Sequence, residues 1–335
     1  MADILNIDPL ESCAASQISK DNVARFQTAS PWRARWQVIN SFVPYALLWF
    51  AMVRAQAVSY WLMLPIAILA AGFLVRIFII FHDCGHGSFF KSQRANNATG
   101  AIAGLVLMTP YRHWRWQHAL HHGTAGDLDR RGSGDIWTLT VEEYLQSTRV
   151  RRFAYRLARN PIVLFVFAPL FVFVVDHRFA VSVASKRERQ SVRRTNWALL
   201  GVTLMMCAMI GLKALLSIQL TVLAFAGALG FWLFYVQHQF EGAYWARSKH
   251  WDYTAAALQG SSFYKLPRIL QWFTGNIGFH HIHHLSPRIP NYHLQRCHEA
   301  DPFFNTIKPL TLLASLKCLT FHLWDEQRNA FVGFR

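Results

Sequence analysis

Charged residues, and acidic residues in particular, are scarce in this chain. Only 16% of its 335 residues are charged, whereas soluble domains carry about 25%. Asp and Glu number 18 against 34 Lys and Arg, which gives a formal net charge of +16, and 53% of the residues are hydrophobic. Because few charges and a basic excess are typical of proteins at an anionic membrane face, the composition favours a membrane protein over two soluble domains.

Several other features are missing. The five cysteines are scattered without a C-x-x-C pair, so the sequence predicts neither a disulfide framework nor a thiolate zinc site. They are Cys13, Cys84, Cys207, Cys297 and Cys318. Residues 1–37 lack an apolar core behind a basic start, so we expect no cleavable signal peptide. No basic segment has the pattern of a recognition helix, so we expect no nucleic-acid partner.

Long apolar stretches predict four membrane spans arranged as two helical hairpins. The predicted spans are Val38–Val53, Tyr60–Phe81, Trp197–Leu212 and Leu220–Val236. Arg76 interrupts the second span near its inner end, from where its side chain is expected to reach the interface. Pro161–Val175 and Ala98–Pro110 are expected to lie in the interface or to re-enter, since basic residues flank the former on both sides.

The distribution of Lys and Arg orients these spans. The two short outer loops hold only Arg54 and Lys213, so both termini are expected in the cytoplasm. The predicted organisation is a cytosolic segment 1–37, a membrane hairpin 38–81, a first cap segment 82–196, a second hairpin 197–236 and a second cap segment 237–335.

Histidine is abundant, with 16 residues, and nine of them occur at the spacing of metal ligands. The nine are His82, His86, His118, His121, His122, His238, His280, His283 and His284. Spacings of three and four place the members of each cluster on one face of a helix, and the predicted topology places all nine on the cytoplasmic side. Nine imidazoles exceed the ligands of one ion, so we predict a dinuclear centre. Imidazole suits iron, copper, zinc and nickel, and iron is favoured if the chemistry is oxygen activation.

Carboxylates near these histidines are candidates to orient them, because a metal-bound imidazole usually donates its second N–H to a carboxylate or a carbonyl. The candidates are Asp83, Glu241, Asp127 and Asp135, although the loop that holds the last two could equally be only a solvated loop. His281 points away from its neighbours and is assigned to packing or to the same supporting role. The remaining histidines lack ligand spacing; they are His113, His177, His250, His293, His298 and His322.

The histidine motifs resemble the three histidine boxes of integral-membrane fatty acid desaturases. They read His82-Asp-Cys-Gly-His86-Gly-Ser-Phe, His118-x-x-His121-His122 and Gly278-Phe-His280-His281-Ile-His283-His284-Leu-Ser-Pro. The resemblance extends from about residue 38 to residue 300, and the third box is most similar to that of the Δ12 (ω-6) acyl desaturases of bacteria and plastids. The expected location is therefore a bacterial inner membrane. The resemblance implies an all-α fold with four transmembrane helices under a cytosolic cap, and the nine histidines as ligands of two iron ions.

The same resemblance implies an activity and its partners. The activity is the O2-dependent removal of two hydrogens from a fatty acyl chain carried by a lipid, coenzyme A or acyl carrier protein. The electron donor, of ferredoxin or cytochrome b5 type, is expected to be separate, because no His-Pro-Gly-Gly haem segment is fused to the chain. Phe234 stands where some relatives carry an Asn that orders a metal-bound water. The alternatives are a lipid hydroxylase or a carotenoid ketolase on the same scaffold, or a non-catalytic metal carrier or transporter.

Overall fold

A computed structural model describes residues 20–132 and 134–334 of the chain. Residues 1–19 of the predicted N-terminal segment, with Cys13, lie outside the described residues. The predicted all-α membrane architecture is confirmed, with five short strands added in the cap. Cys84, Cys207, Cys297 and Cys318 are free thiols, as the absence of a cysteine pattern predicts.

The helices of the described residues are, in chain order, α1 Lys20–Ala24, α2 Pro31–Val58, α3 Tyr60–His86, α4 Gln93–Val106, α5 Tyr111–Thr124, α6 Val141–Gln146, α7 Arg149–Ala158, a π-helical turn Val163–Phe167, α8 Ala168–Val174, α9 Lys186–Ile210, α10 Leu212–His238, α11 Tyr253–Leu258, α12 Arg268–Phe273, α13 His280–Leu285, α14 Asn291–Ala300 and α15 Leu312–Ser315. Short 3-10 turns cover Asp176–Arg178, Pro302–Thr306 and Leu316–Thr320.

Two consecutive helix pairs, α2–α3 and α9–α10, form the stem of the molecule, but the second turn is at Gly211 and the predicted outer-loop residue Lys213 lies within α10. Ser59, in an extended conformation, separates α2 from α3, and its side chain accepts a hydrogen bond from the backbone N–H of Trp61. Gly211 separates α9 from α10 with φ of 81°, a conformation that favours glycine. The hydroxyls of Tyr60 and Thr221 lie 3.2 Å apart. Both turns therefore lie at one end of the stem, and the histidine-bearing ends of α3 and α10 lie at the other.

Three of the four predicted spans lie in helices that are long and apolar enough to cross a membrane. By length and composition, α2, α3 and α10 are each able to span a membrane. The helix α9, which holds the predicted third span, is not among them, because basic residues occupy its first half. The segment from α7 to Arg178 meets the same criterion only as a pair of helices bent by 65°. That bend fits the expectation that Pro161–Val175 re-enters or lies in the interface.

Arg76 does not reach the interface as expected, because it has partners inside the protein. Its side chain is buried, with the guanidinium carbon 3.9 Å from the centre of the Trp272 ring. It also donates a hydrogen bond to the Trp272 carbonyl. Arg76 therefore fixes the cap helix α12 against α3 by a cation–π contact and a charge-assisted hydrogen bond.

Two small sheets join the segments of the cap. Strand β1 (Leu139–Thr140) pairs in parallel with β4 (Leu323–Asp325), which pairs antiparallel with β5 (Ala330–Val332); β2 (Phe263–Lys265) pairs in parallel with β3 (Pro309–Thr311). The buried Arg159 donates hydrogen bonds to Gln239 Oε1 at 2.7 Å and to Thr138 Oγ1 at 3.2 Å. These bonds fix the chain that follows α10 against the loop that follows α5.

Candidate metal centre

The nine predicted histidines converge where α3, α5, α10 and α13 meet beneath the cap. One ring nitrogen from each of five histidines lies within 4.8 Å of all the others; these are His82, His86, His118, His122 and His283. In a second group, one ring nitrogen from each histidine likewise lies within 4.8 Å of the others; its members are His121, His238 and His284. His280 adjoins this second group, because its Nε2 lies 3.0 Å from Nε2 of His238.

The distances between ring nitrogens match those expected between two ligands of the same metal ion. The Nε2 atom of His118 lies 3.1 Å from that of His86 and 3.1 Å from that of His122, which in turn lies 3.0 Å from that of His283. In the second group, the Nε2 atoms of His121 and His238 are 3.2 Å apart. Two nitrogens bound at about 2.1 Å to one ion, at right angles, lie about 3.0 Å apart. The donor set therefore fits two neighbouring ions.

Burial keeps these imidazoles in the form that binds metal. Burial first, and then repulsion by the neighbouring imidazoles, lowers the pKa of His122 and of His283 well below 6.5. A neutral ring keeps a lone pair for an ion. The Nε2 atom of His284 is buried without a hydrogen-bond partner among the described residues. Because an unpaired buried polar atom is costly, a metal ion at this nitrogen fits the site.

Two of the candidate carboxylates contact histidine rings. Asp83 Oδ1 lies 3.0 Å from Nδ1 of His82, and Asp135 Oδ1 lies 2.6 Å from Nδ1 of His121. Each carboxylate accepts the Nδ1 proton and leaves Nε2 of the ring free for a metal ion. Both carboxylates are well shielded from solvent, Asp83 almost completely.

Sequence reasoning missed Asn291, which supports Asp83. Its backbone N–H and its side-chain amide both donate to Asp83 Oδ2, at 2.6 and 2.8 Å. The residue begins α14, shortly after the third histidine cluster. A polar residue after Pro290 at a helix start is the only indication in the sequence, and it does not reveal a partner that is 208 residues away.

The other two candidate carboxylates do not contact the histidine rings. Glu241 is exposed and forms an ion pair with Lys317 at 2.7 Å, because α10 ends at His238 and the chain then turns away. Asp127 is buried, but its carboxylate accepts hydrogen bonds from Arg130 and Ser248. The acceptor for Nδ1 of His238 is instead the carbonyl of Gly260, at 3.3 Å.

The histidines without ligand spacing lie outside the two groups. His281 is fully buried and packs against Phe263, His298 and Phe304, which agrees with its assignment to packing. The other residues without ligand spacing are dispersed as follows: His113 accepts a hydrogen bond from the Val181 N–H, His177 contacts Thr109, His250 is exposed, His293 and His298 contact aromatic rings, and His322 stacks on Phe334.

A cavity of about 560 Å³ begins at the histidines and extends along the stem. This volume lies within the usual range of small-molecule sites, about 300–1,000 Å³. His82, His118, His121 and His280 contribute to its wall, and most of the remaining wall comes from apolar side chains of α3, α10 and the 163–173 segment. The sequence could not identify these residues, because they come from four separate elements.

Aromatic rings lie beside the histidines on the cavity wall. The Trp114 ring stacks on His118 with ring centres 4.4 Å apart. The Phe234 ring contacts His121 and His238, at 5.2 and 5.4 Å between ring centres. A long apolar molecule in the cavity would therefore reach the ring edges of both histidine groups while these rings limit the access of water.

Comparison with known proteins agrees with these features. Residues 59–306 match the family model described as fatty acid desaturase. The chain is 45% identical over 319 residues to a fatty acid desaturase of Bacillus subtilis, which covers 95% of this chain and 90% of that protein. It is 28% identical over 255 residues to an sn-1 oleoyl-lipid 12-desaturase of Synechocystis, and this match covers 71% of this chain and 68% of that protein. It is 29% identical over 319 residues to a chloroplastic omega-3 fatty acid desaturase of Glycine max, and this match covers 90% of this chain and 67% of that protein.

Proposed function

The chain belongs to the fatty acid desaturase family, and from this premise we propose that it introduces a cis double bond into an acyl chain at a histidine-bound di-iron centre. The family membership makes the protein an oxidoreductase that acts on a fatty acyl substrate, and its apolar helices associate it with a membrane. The observation that carries the proposal is the convergence of two histidine groups on the wall of one long apolar cavity.

The nine histidines would divide between two ions. The group of five would hold one ion, and His121, His238, His280 and His284 would hold the other. All donors are imidazoles and the described residues of these groups include no thiolate, which is compatible with iron and disfavours a structural zinc site. Asp83 and Asp135 would fix the rings of His82 and His121 so that their Nε2 atoms point at the ions.

The reaction balances without a catalytic acid or base on the protein. One O2, two hydrogens from adjacent carbons, two protons and two electrons from a donor give the alkene and two waters. When bound, the metal pair supplies the oxygen activation that breaks an unactivated C–H bond. The protein orients the chain and excludes water, and the Trp114 and Phe234 rings pack beside the histidines on the cavity wall. The electron donor would be a separate ferredoxin or cytochrome b5.

The acyl chain would occupy the 560 Å³ cavity. Its carrier is proposed to be a glycerolipid, coenzyme A or acyl carrier protein. The phosphate of a phospholipid, of coenzyme A or of the carrier protein's prosthetic group suits a chain of net charge +16. The histidine-bearing end of the stem and both termini are proposed to face the cytoplasm of a bacterial cell, because nearly all basic residues lie on that side of the proposed topology. The division into segments 1–37, 38–81, 82–196, 197–236 and 237–335 follows from this topology.

We propose the Δ12 (ω-6) position for the double bond, supported by the third histidine motif and by the similarity to the Synechocystis 12-desaturase. The similarity to the omega-3 desaturase of Glycine max favours a second candidate, the ω-3 position. Both positions can be tested in one host that makes saturated and Δ9-monounsaturated chains, supplied with a competent electron donor.

Fatty-acid profiling of this host separates the outcomes. A new 18:2 acid with double bonds at positions 9 and 12 supports the Δ12 proposal, whereas an ω-3 product supports the second candidate. A product that carries an added oxygen atom would identify a hydroxylase instead. An unchanged profile, with iron bound to the purified protein and the donor present, would contradict the proposed activity.

A further inference from the structure

We propose that Gly230 determines how long an acyl chain the cavity accepts, because the methyl-terminal segment of the chain passes over it. This inference rests on the proposed function, since it assumes an acyl substrate in the 560 Å³ cavity. It adds a residue that determines specificity, and it depends on the shape of the cavity wall rather than on the metal ligands.

Gly230 lies in the middle of the cavity-facing side of α10. The residues of α10 that line the cavity are Leu223, Ala226, Gly227, Gly230, Phe231, Leu233, Phe234 and Gln237. Successive residues of an α-helix are about 100° apart, so these residues form one stripe that is centred close to Gly230. A side chain at position 230 would therefore point into the cavity and not towards lipid.

Two glycines of this stripe differ in what surrounds them. A Cβ atom at Gly227 would lie 2.5 Å from Cβ of Pro169, so Gly227 is required for the close packing of α8 on α10. A Cβ atom at Gly230 would meet no other atom within 4 Å. The open space at Gly230 is thus not needed for helix packing, so a methyl group fits there without displacing protein atoms and a larger side chain would extend into the cavity.

The distance from the histidines is appropriate for an acyl segment. Gly230 precedes Phe234, which contacts His121 and His238, by four residues, or about 6 Å along the helix. An extended alkyl chain advances about 1.3 Å per carbon. A chain that reacts beside Phe234 would therefore reach Gly230 about five carbons further on. His280, which is buried and lines the same cavity, has an Nδ1 atom without a partner among the described residues.

The polarity of the wall indicates which end of the acyl chain lies over Gly230. Near the histidines the cavity is lined by polar groups, including Gln117 and Arg159, and Trp137 there is 41% exposed. On the other side of Gly230 the stripe of α10 continues with the apolar residues Ala226 and Leu223. Because a charged carrier is costly to place against an apolar wall, the carrier is placed on the histidine side and the methyl end extends along the apolar wall over Gly230.

The test replaces Gly230 by larger residues in the full-length, iron-loaded protein. Gly230→Ala, Gly230→Leu and Gly230→Phe are compared with wild type by product analysis on Δ9-monounsaturated acyl chains of 14 to 18 carbons. Thermal stabilisation of the same proteins by free fatty acids of these lengths measures binding without turnover. Gly201→Phe is the matched control, because Gly201 is exposed on α9 and also has no neighbour within 4 Å of a Cβ atom.

The expected result is a loss that grows with both chain length and side-chain size. For Gly230→Phe, the ratio of 18-carbon to 14-carbon product should fall at least tenfold, with a parallel loss of stabilisation by the longer acids and unchanged iron content. Equal loss at every chain length, or an unchanged ratio, with iron content intact would overturn the inference. If wild type itself makes no desaturated product but still shows the length-dependent stabilisation, the proposed function fails and the cavity assignment stands.

Discussion

The Nδ1 atom of His121 lies 2.6 Å from Asp135 Oδ1, and this contact connects the second histidine cluster to the loop that follows α5. Asp135 also accepts a hydrogen bond from the backbone N–H of Gly132, at 3.2 Å. The carboxylate thereby holds the imidazole with Nε2 towards His238. Both residues line the cavity, so the contact acts on the histidine centre and on the wall of the acyl site.

Replacing Asp135 by Asn should lower iron affinity or turnover by about 10- to 100-fold, because the amide is a weaker acceptor for the imidazole N–H. Iron content after dialysis against a graded chelator measures the effect. Asp129→Asn is the matched control in the same loop, since Asp129 is exposed and pairs with Arg247. Equal iron retention in the two variants would contradict the role of Asp135.

Replacing His121 by Ala should abolish desaturation while membrane insertion is retained, because the change removes a proposed ligand and His121 itself lies on α5, which is not one of the helices able to span a membrane. Product analysis and membrane fractionation measure the two effects. His250→Ala, an exposed histidine outside both groups, should retain full activity. Turnover by the His121 variant at the wild-type rate would refute its proposed role as a ligand.

Replacing Asn291 by Ala should destabilise the protein by about 1–3 kcal/mol, because the variant loses the side-chain donor to the buried Asp83 carboxylate. Asp83 should then hold the His82 ring in its orientation less firmly, so iron retention should fall as well. Chemical denaturation in detergent and iron analysis provide the measurements. Asn97→Ala, which removes only a hydrogen bond with Gln93 on the side of α4, should change neither quantity appreciably.

Replacing Gly227 by Ala should destabilise the protein by about 1–3 kcal/mol, because the new methyl group would overlap Pro169 and force α8 away from α10. The unfolding midpoint in detergent measures the effect. Gly201→Ala adds the same methyl group at a helical position with open space and should be neutral or stabilising by about 0.5–1 kcal/mol. A stable Gly227 variant would show that α8 is not packed against α10 in this way.

The sequence identified the histidines but only some of their supporting residues. Spacings of three and four placed each cluster on one helix face, and Asp83 and Asp135 were named among the candidate partners. Glu241 was wrong as such a partner, because the helix ends at His238 and the following residues do not continue its face. Asn291 was not found, since nothing local distinguishes it from any other helix-start residue.

The composition, the apolar stretches and the histidine spacings by themselves determined that this is a helical membrane protein with histidines at the spacing of metal ligands, because these features depend on local periodicity and on hydropathy. The cavity wall, the open space at Gly230, the contact between Arg76 and Trp272 and the division of the histidines into two groups were decided only by the tertiary structure. Each of these brings together residues from distant segments, and their packing depends on side-chain shapes and helix crossings that no local pattern encodes.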